Sequence, residues 1–187
     1  FGPQDTLDRV LHRQELDTAC IDSLAAAIAA FHGAIAVAAP ESTFGDPATV
    51  RAAALDNFAH IERLSPGPAA HAPLAGLRQW TESEFARAQP AFAARRAGGF
   101  VRECHGDLHL GNVALVDGRP VPFDCIEFND AFRWIDVMNE MAFLVMDCES
   151  RGHGSAGFVA LNAWLERTGD PSDERTFTIC SGVSFPL

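Results

Sequence analysis

The stretch His105-Gly106-Asp107-Leu108-His109-Leu110-Gly111-Asn112 is followed by two short apolar runs, Val113 to Val116 and Val121 to Phe123. These runs flank the pair Asp117-Gly118, and the second ends on Asp124. Asp-Gly between apolar runs is a strong local signal for a β-hairpin. Pro120 and Pro122 lack N–H groups, but they lie two apart, so both gaps face one side of their strand. That strand can still pair on its other side, as an edge strand does. Folding back about the turn brings Asp124 opposite Asn112 or one residue off. Directly paired residues have Cβ atoms about 4.5–5.5 Å apart, so one small cation could bridge the carboxylate and the amide oxygen. Mg²⁺ favours such an open set, one or two carboxylates completed by phosphates and water. Asp107 lies upstream between Gly106 and Gly111, where a loop carboxylate could take a proton from a hydroxyl. The layout is one for phosphoryl transfer.

The spacing H-x-D-x-x-x-x-N, the hairpin and the strand-ending Asp together resemble the catalytic loop and metal-binding Asp of the protein-kinase-like fold. HGDLHLGN is closer to its aminoglycoside and choline phosphotransferase branch. FDCIEFND followed by RWIDV looks most like the bacterial aminoglycoside-phosphotransferase-like proteins often fused to a P-loop ATP-binding domain. The likeness runs from about Leu7 to Asp170, and its motifs are specific between His105 and Asp136. It implies Asp107 as catalytic base, His105 as a brace of the loop, and Asn112 and Asp124 as the groups that hold Mg²⁺ and, through it, ATP. It also implies that Asp136 is a buried carboxylate supporting the loop. A buried ion pair with an arginine is the other reading of Asp136. Glu127, Asn129 and Asp130 follow as substrate-side candidates or as solvated loop residues. His32 resembles a helix histidine of the family, and reads equally as a core or surface histidine.

Another chemistry is open to the same loop. His105, Asp107 and His109 alternate, and on a strand they would share a face suited to a transition metal. Gly106 and Gly111 favour a loop instead, and no fourth ligand follows at a zinc spacing.

The 187 residues suffice for one domain with a real core. A net charge of −11 offers no basic stripe for nucleic acid. An acidic surface would suit a cationic substrate, and it also serves solubility. Five cysteines, odd in number and without a C-x-x-C pair, read as free thiols of a reducing cytoplasm. Cys104 and Cys125 read as small core residues. No apolar run reaches the 18 or more residues of a membrane span.

All 14 basic residues are arginine, and no glycine-rich phosphate loop is present. The kinase-like fold takes a strand lysine from its N-terminal lobe. The expectation is therefore a C-lobe fragment, inactive alone, that lacks its N-lobe and any fused P-loop domain. The family pattern breaks at PSDERTFTICSGVSFPL, residues 171–187, an atypical tail.

Apolar spacing and capping residues predict helices over Thr6 to Leu16, Leu24 to Ala39, Asp46 to about Leu64, Pro73 to Arg96, Ala131 to Cys148 and Ser155 to Arg167. Ser65 to Pro68 reads as a break, and Phe100 to Cys104 as a short extended run. The expected class is α+β, mostly α: the C-terminal lobe of a kinase-like fold with one short β-ribbon carrying the metal site. The expected activity is ATP- and Mg²⁺-dependent transfer to a hydroxyl of a small molecule. A non-catalytic kinase-like binding or regulatory module and a metal-dependent hydrolase are the alternatives.

Overall fold

The structure, a computed structural model, describes residues 1–64, 68–172, 176–178 and 180, with the backbone alone at 68–72. The chain is mostly helical with two small antiparallel ribbons. Its helices are α1 (Leu7–His12), α2 (Thr18–Ala34), α3 (Pro47–Leu64) and α4 (Pro68–Ala97). Strand β1 (Val101–Glu103) leads into the loop and a 3₁₀ turn (Leu110–Asn112). The hairpin β2 (Val113–Val116) and β3 (Arg119–Pro122) follows, then α5 (Asp130–Arg133), β4 (Trp134–Asp136), α6 (Val137–Ser150) and α7 (Gly154–Thr168).

Helix α2 starts earlier and stops sooner than its apolar pattern suggests. Asp17 caps it by accepting from the Cys20 N–H at 2.7 Å, a start signal stronger than the later leucine. The chain leaves the helix at Ile35, where β-branched Ile35 and Val37 favour extended backbone. Residues 36–38 lie along the free edge of β1, with Glu103 N to Ala36 O and Ala38 N to Val101 O both at 2.9 Å. Helix α1 likewise ends at His12, where the chain turns through Gln14 at φ 60°. The Ser65 to Gly67 part of the expected break lies outside the described residues. Helix α4 absorbs Pro73 and Pro90 in its interior.

The larger correction concerns residues 131–148, expected as one helix. They form α5, then β4 paired with β1 (Val101 with Asp136, Glu103 with Trp134), and only then α6. Asp136 ends the strand and caps α6, accepting from Met138 N at 2.8 Å. An aromatic and a β-branched residue before a capping Asp suit a strand as well as a helix. The vacant edge of β1 decides between them. There are accordingly two ribbons where the sequence predicts one.

Helix α6 runs through the core, burying Val137, Met138, Met141, Ala142, Leu144, Val145 and Cys148. Each large side chain fully buried contributes about 1.5–3 kcal/mol. Leu24, Ile28 and Trp164 come in from α2 and α7. Gly157 lets α7 approach closely, since a Cβ there would lie 3.0 Å from the Val145 Cα. Leu108 and Leu110 anchor the loop in the same core.

Candidate active site

The hairpin forms in the expected register. Val113 pairs with Pro122 and Val116 with Arg119, and Asp117 and Gly118 take φ 50° and 74° at the turn. The Phe123 N–H donates to Asn112 O at 2.9 Å. Odd-numbered residues of β3 thus point their N–H groups at β2, and Pro120 and Pro122 point their gaps away. Asp124 stands one residue beyond the partner of Asn112. It is exposed, has φ 62°, and makes no hydrogen bond or ion pair among the described residues. A left-handed φ at a non-glycine residue is sparsely populated, and here it turns the chain out of the strand.

Asp107 sits on the loop with its side chain 39% exposed. Asn112 is buried, and its Nδ2 donates to Asp107 Oδ2 at 3.1 Å and to Asp107 O at 3.0 Å. That use of the amide nitrogen leaves Oδ1 as the side chain's acceptor or ligand atom. His109 closes the other flank: its Nδ1 accepts from Gly111 N at 3.0 Å, and its Nε2 lies 3.6 Å from Asp107 Oδ2. His105 braces loop to hairpin, donating from Nε2 to Phe123 O at 2.8 Å while Nδ1 faces the Asp107 N–H at 3.3 Å. With both nitrogens so used, His105 does not join Asp107 and His109 as a metal set.

Two carboxylates of α6 hold the loop from beneath. Glu140 Oε1 accepts from Gly106 N at 2.8 Å and Asp147 Oδ2 from Leu110 N at 2.9 Å. They are seven residues apart, two turns of helix, so both face the loop. The resemblance assigns such support to Asp136, but that residue turns elsewhere. Asp136 makes a bidentate pair with Arg95 at 2.7 Å for each bond, and Arg95 also binds Asp170 at 2.7 and 2.9 Å. Burial pushes the Asp136 carboxyl up against the pull of Arg95. At Asp170 burial acts the same way but is outweighed by the hydrogen bonds from Arg95 and Ser172, and the carboxyl ends below its usual range.

Gly106 itself is required. It has φ 85°, and a Cβ would meet Phe132 O at 2.6 Å. Gly106→Ala should therefore displace the loop and lower the thermal midpoint by several degrees, read by calorimetry. A left-handed strain of about 1–2 kcal/mol is expected even before the clash.

Glu127 is exposed in the segment after Asp124 and makes no hydrogen bond or ion pair among the described residues. Its neighbour Phe128 is 85% exposed. Cys125 is exposed rather than buried, while Cys104 is buried as expected, and no disulfide forms among the described residues. Asn129 caps α5 by accepting from Ala131 N, which makes it structural.

A cavity of about 360 Å³ opens beside the loop, between α3, β4 and α6. Gly106 and Leu108 border it, and Phe44, Phe132, Trp134 and Val50 make its wall largely apolar, with Asp56 as an acidic member. Phe44 stacks on Trp134 with ring centroids 5.6 Å apart.

Among the described residues one group, His32, Cys104 and Glu140, has ligand atoms within 4.8 Å of one another. It does not suit a metal. The Trp164 indole N–H donates to His32 Nδ1 at 3.1 Å, so Nε2 carries the ring proton and donates to Glu140 Oε2 at 2.8 Å. A metal would need that nitrogen's lone pair. Burial, with the charges of Glu140 and Asp136 adding to it, pushes the Cys104 thiol well up. By chemistry, the oxygen ligands for Mg²⁺ in this region would be Asn112 Oδ1 and the exposed Asp124 carboxylate, too few to hold the ion without further ligands.

No family model matches the chain, and no solved structure matches it. Similar sequences include an uncharacterized protein of Mycobacterium tuberculosis and one of Mycobacterium bovis. Each is 39% identical over 90 residues, 47% of this chain. The matched stretch is 18% of the length of either relative. Among the described residues no helix is long and apolar enough to cross a membrane.

Proposed function

We propose that this chain is the C-lobe of a kinase-like phosphotransferase that moves the γ-phosphoryl group of ATP to a hydroxyl of a small molecule. The observation that carries the reading is the 3.1 Å bond from Asn112 Nδ2 to Asp107 Oδ2. It ties the loop carboxylate to the hairpin whose other strand leads on to Asp124. Asp107 takes the proton of the acceptor hydroxyl as its oxygen attacks phosphorus. Asn112 both orients that carboxylate and offers Oδ1 to the ion. Mg²⁺, when bound by Asn112 and Asp124, supplies the positive charge that phosphate oxygens need. Loop and hairpin are held in register by His105, Glu140 and Asp147, so most of the contribution is positioning. The cavity that Gly106 and Leu108 border is our candidate for the acceptor's body, whose hydroxyl would reach past Gly106 to Asp107, itself outside the lining; the aromatic wall favours an apolar body over a bare sugar. The groups that orient the nucleotide lie outside this stretch, in keeping with relatives of which it matches a small part.

The test is transfer of labelled γ-phosphate by the full-length protein to a panel of hydroxylated amines, aromatic alcohols and sugars. Transfer to a member of the panel supports the reading, and ATP left untouched throughout counts against it. Calorimetry adds a second expectation. Mg²⁺ should bind measurably only together with nucleotide, because two side chains are too few for a closed site. Tight Mg²⁺ binding without nucleotide, or stoichiometric zinc in the purified protein, would favour a metal-dependent hydrolase.

A further inference from the structure

Four groups from separate parts of the chain form one line, buried from the Trp164 indole on α7 through the His32 ring on α2 to the Glu140 carboxylate on α6, and half-buried at the Gly106 N–H on the loop. Both His32 and Glu140 are almost wholly buried, at 3% and 1% exposure. We propose that Trp164, His32 and Glu140 are a positioning relay that sets the place of Gly106, and so of Asp107, by fixing the direction of each hydrogen bond. The proposal rests on Asp107 acting as the base.

The direction is fixed at one end. An indole N–H donates and cannot accept, so His32 Nδ1 must present its lone pair and Nε2 its proton. Glu140 then meets two donors, His32 Nε2–H and Gly106 N–H, one at each oxygen. A carboxylate alone among side chains of this size accepts at both ends without rotation. Were His32 in the other tautomer, Nε2 would face a carboxylate oxygen acceptor to acceptor. Glu140 would turn away and leave the Gly106 amide without its partner. The space on the other side of Gly106 is closed as well, since an added Cβ would meet Phe132 O at 2.6 Å. Trp164 thus acts on the loop across two intermediaries, without touching it.

The relay predicts a coupling that simple packing does not. Glu140→Gln has one acceptor and one amide donor, so it can satisfy only one of the two donors it faces. Trp164→Phe frees His32 to adopt the other tautomer, whose Nε2 can accept from the glutamine amide while the glutamine oxygen keeps Gly106. In the full-length protein E140Q should lower kcat roughly 10–100-fold with little change in KM, the scale of a small misplacement of a reacting group. Adding W164F should recover part of that loss. W164F alone should lower kcat less than E140Q. Losses that simply multiply, or an E140Q enzyme with unaltered kcat, would overturn the relay.

Two spectroscopic readouts do not depend on catalysis. Nitrogen-15 spectra of the wild-type protein should show His32 protonated at Nε2 and bare at Nδ1. The Gly106 amide proton should shift on E140Q and move back in the double variant. A His32 ring protonated at Nδ1, or a Gly106 amide indifferent to E140Q, would overturn the relay even in a well-folded protein. If these signals behave as expected while no acceptor is ever phosphorylated, the relay stands and the phosphotransferase reading fails.

Discussion

Asp107→Asn in the full-length protein is expected to lower kcat by roughly 10²–10⁴, the usual contribution of a positioned general base. The substitution keeps shape and most bonds. An asparagine oxygen can still accept from Asn112 Nδ2, now 3.1 Å away, and the loop's backbone bonds to Glu140 and Asp147 do not involve the side chain. What is lost is the ability to take a proton. Because the side chain is 39% exposed and its ion-pair distance to His109 is 3.6 Å, little stability should go with it. The thermal midpoint should stay nearly unchanged. The pairing of a large kinetic effect with a small thermal one is what marks a base rather than a structural carboxylate. A fully active variant removes Asp107 from the chemistry, and an inactive one that has unfolded leaves it a structural role only.

The site is legible in the sequence where its parts are local. Asp117-Gly118 specifies the turn, the two prolines specify which edge of β3 is free, and these fix the offset between Asn112 and Asp124. His105 as a brace follows from the resemblance, and the structure supplies its partner, Phe123 O, in the same local unit. The support beneath the loop is visible only as spacing. In the sequence Arg133, Asp136, Glu140 and Asp147 fall at the spacing of one polar helix stripe, but Arg133 ends α5 and Asp136 ends β4, so neither lies on α6. The remaining pair faces the loop, whereas Asp136 faces α4. Nothing local distinguishes Glu140 from Asp136, because the choice depends on Gly106, Arg95 and Asp170, all distant in sequence. His32 is ambiguous for the same reason: its two partners lie 108 and 132 residues away. Segment 35–39 and β4 read as helix because their apolar residues suit either period, and the edges of β1 decide between the two.

Removing the guanidinium that joins α4 to the start of α6 should have the largest effect on stability. Arg95 is 7% exposed, and its partners Asp136 and Asp170 are 10% and 1% exposed, with the guanidinium lying 4.3 Å over the Phe100 ring. Arg95→Met keeps much of the volume but leaves two buried carboxylates facing each other without a cation. Breaking a buried pair in this way costs about 3–5 kcal/mol. Arg95→Lys should fall between, since one ammonium cannot reproduce two planar forks. The pH dependence has a definite sign. In the wild type Asp170 sits below its usual range, so its contribution is fully present above that range and is lost as acid carries the pH down through the lowered value. Asp136, pushed up by burial, takes its proton earlier on the way down. In the variant neither carboxylate has the guanidinium, so both protonate at higher pH and the repulsion between them disappears first. The gap between variant and wild type should therefore be widest near neutral pH and narrow as the pH falls toward about 4–5, where model carboxyls begin to protonate. Urea unfolding of both proteins at neutral and at mildly acidic pH measures it. A gap that is the same at both values would mean that the loss comes from packing against Phe100, and a gap under about 1 kcal/mol at neutral pH would mean that water already screens the pair.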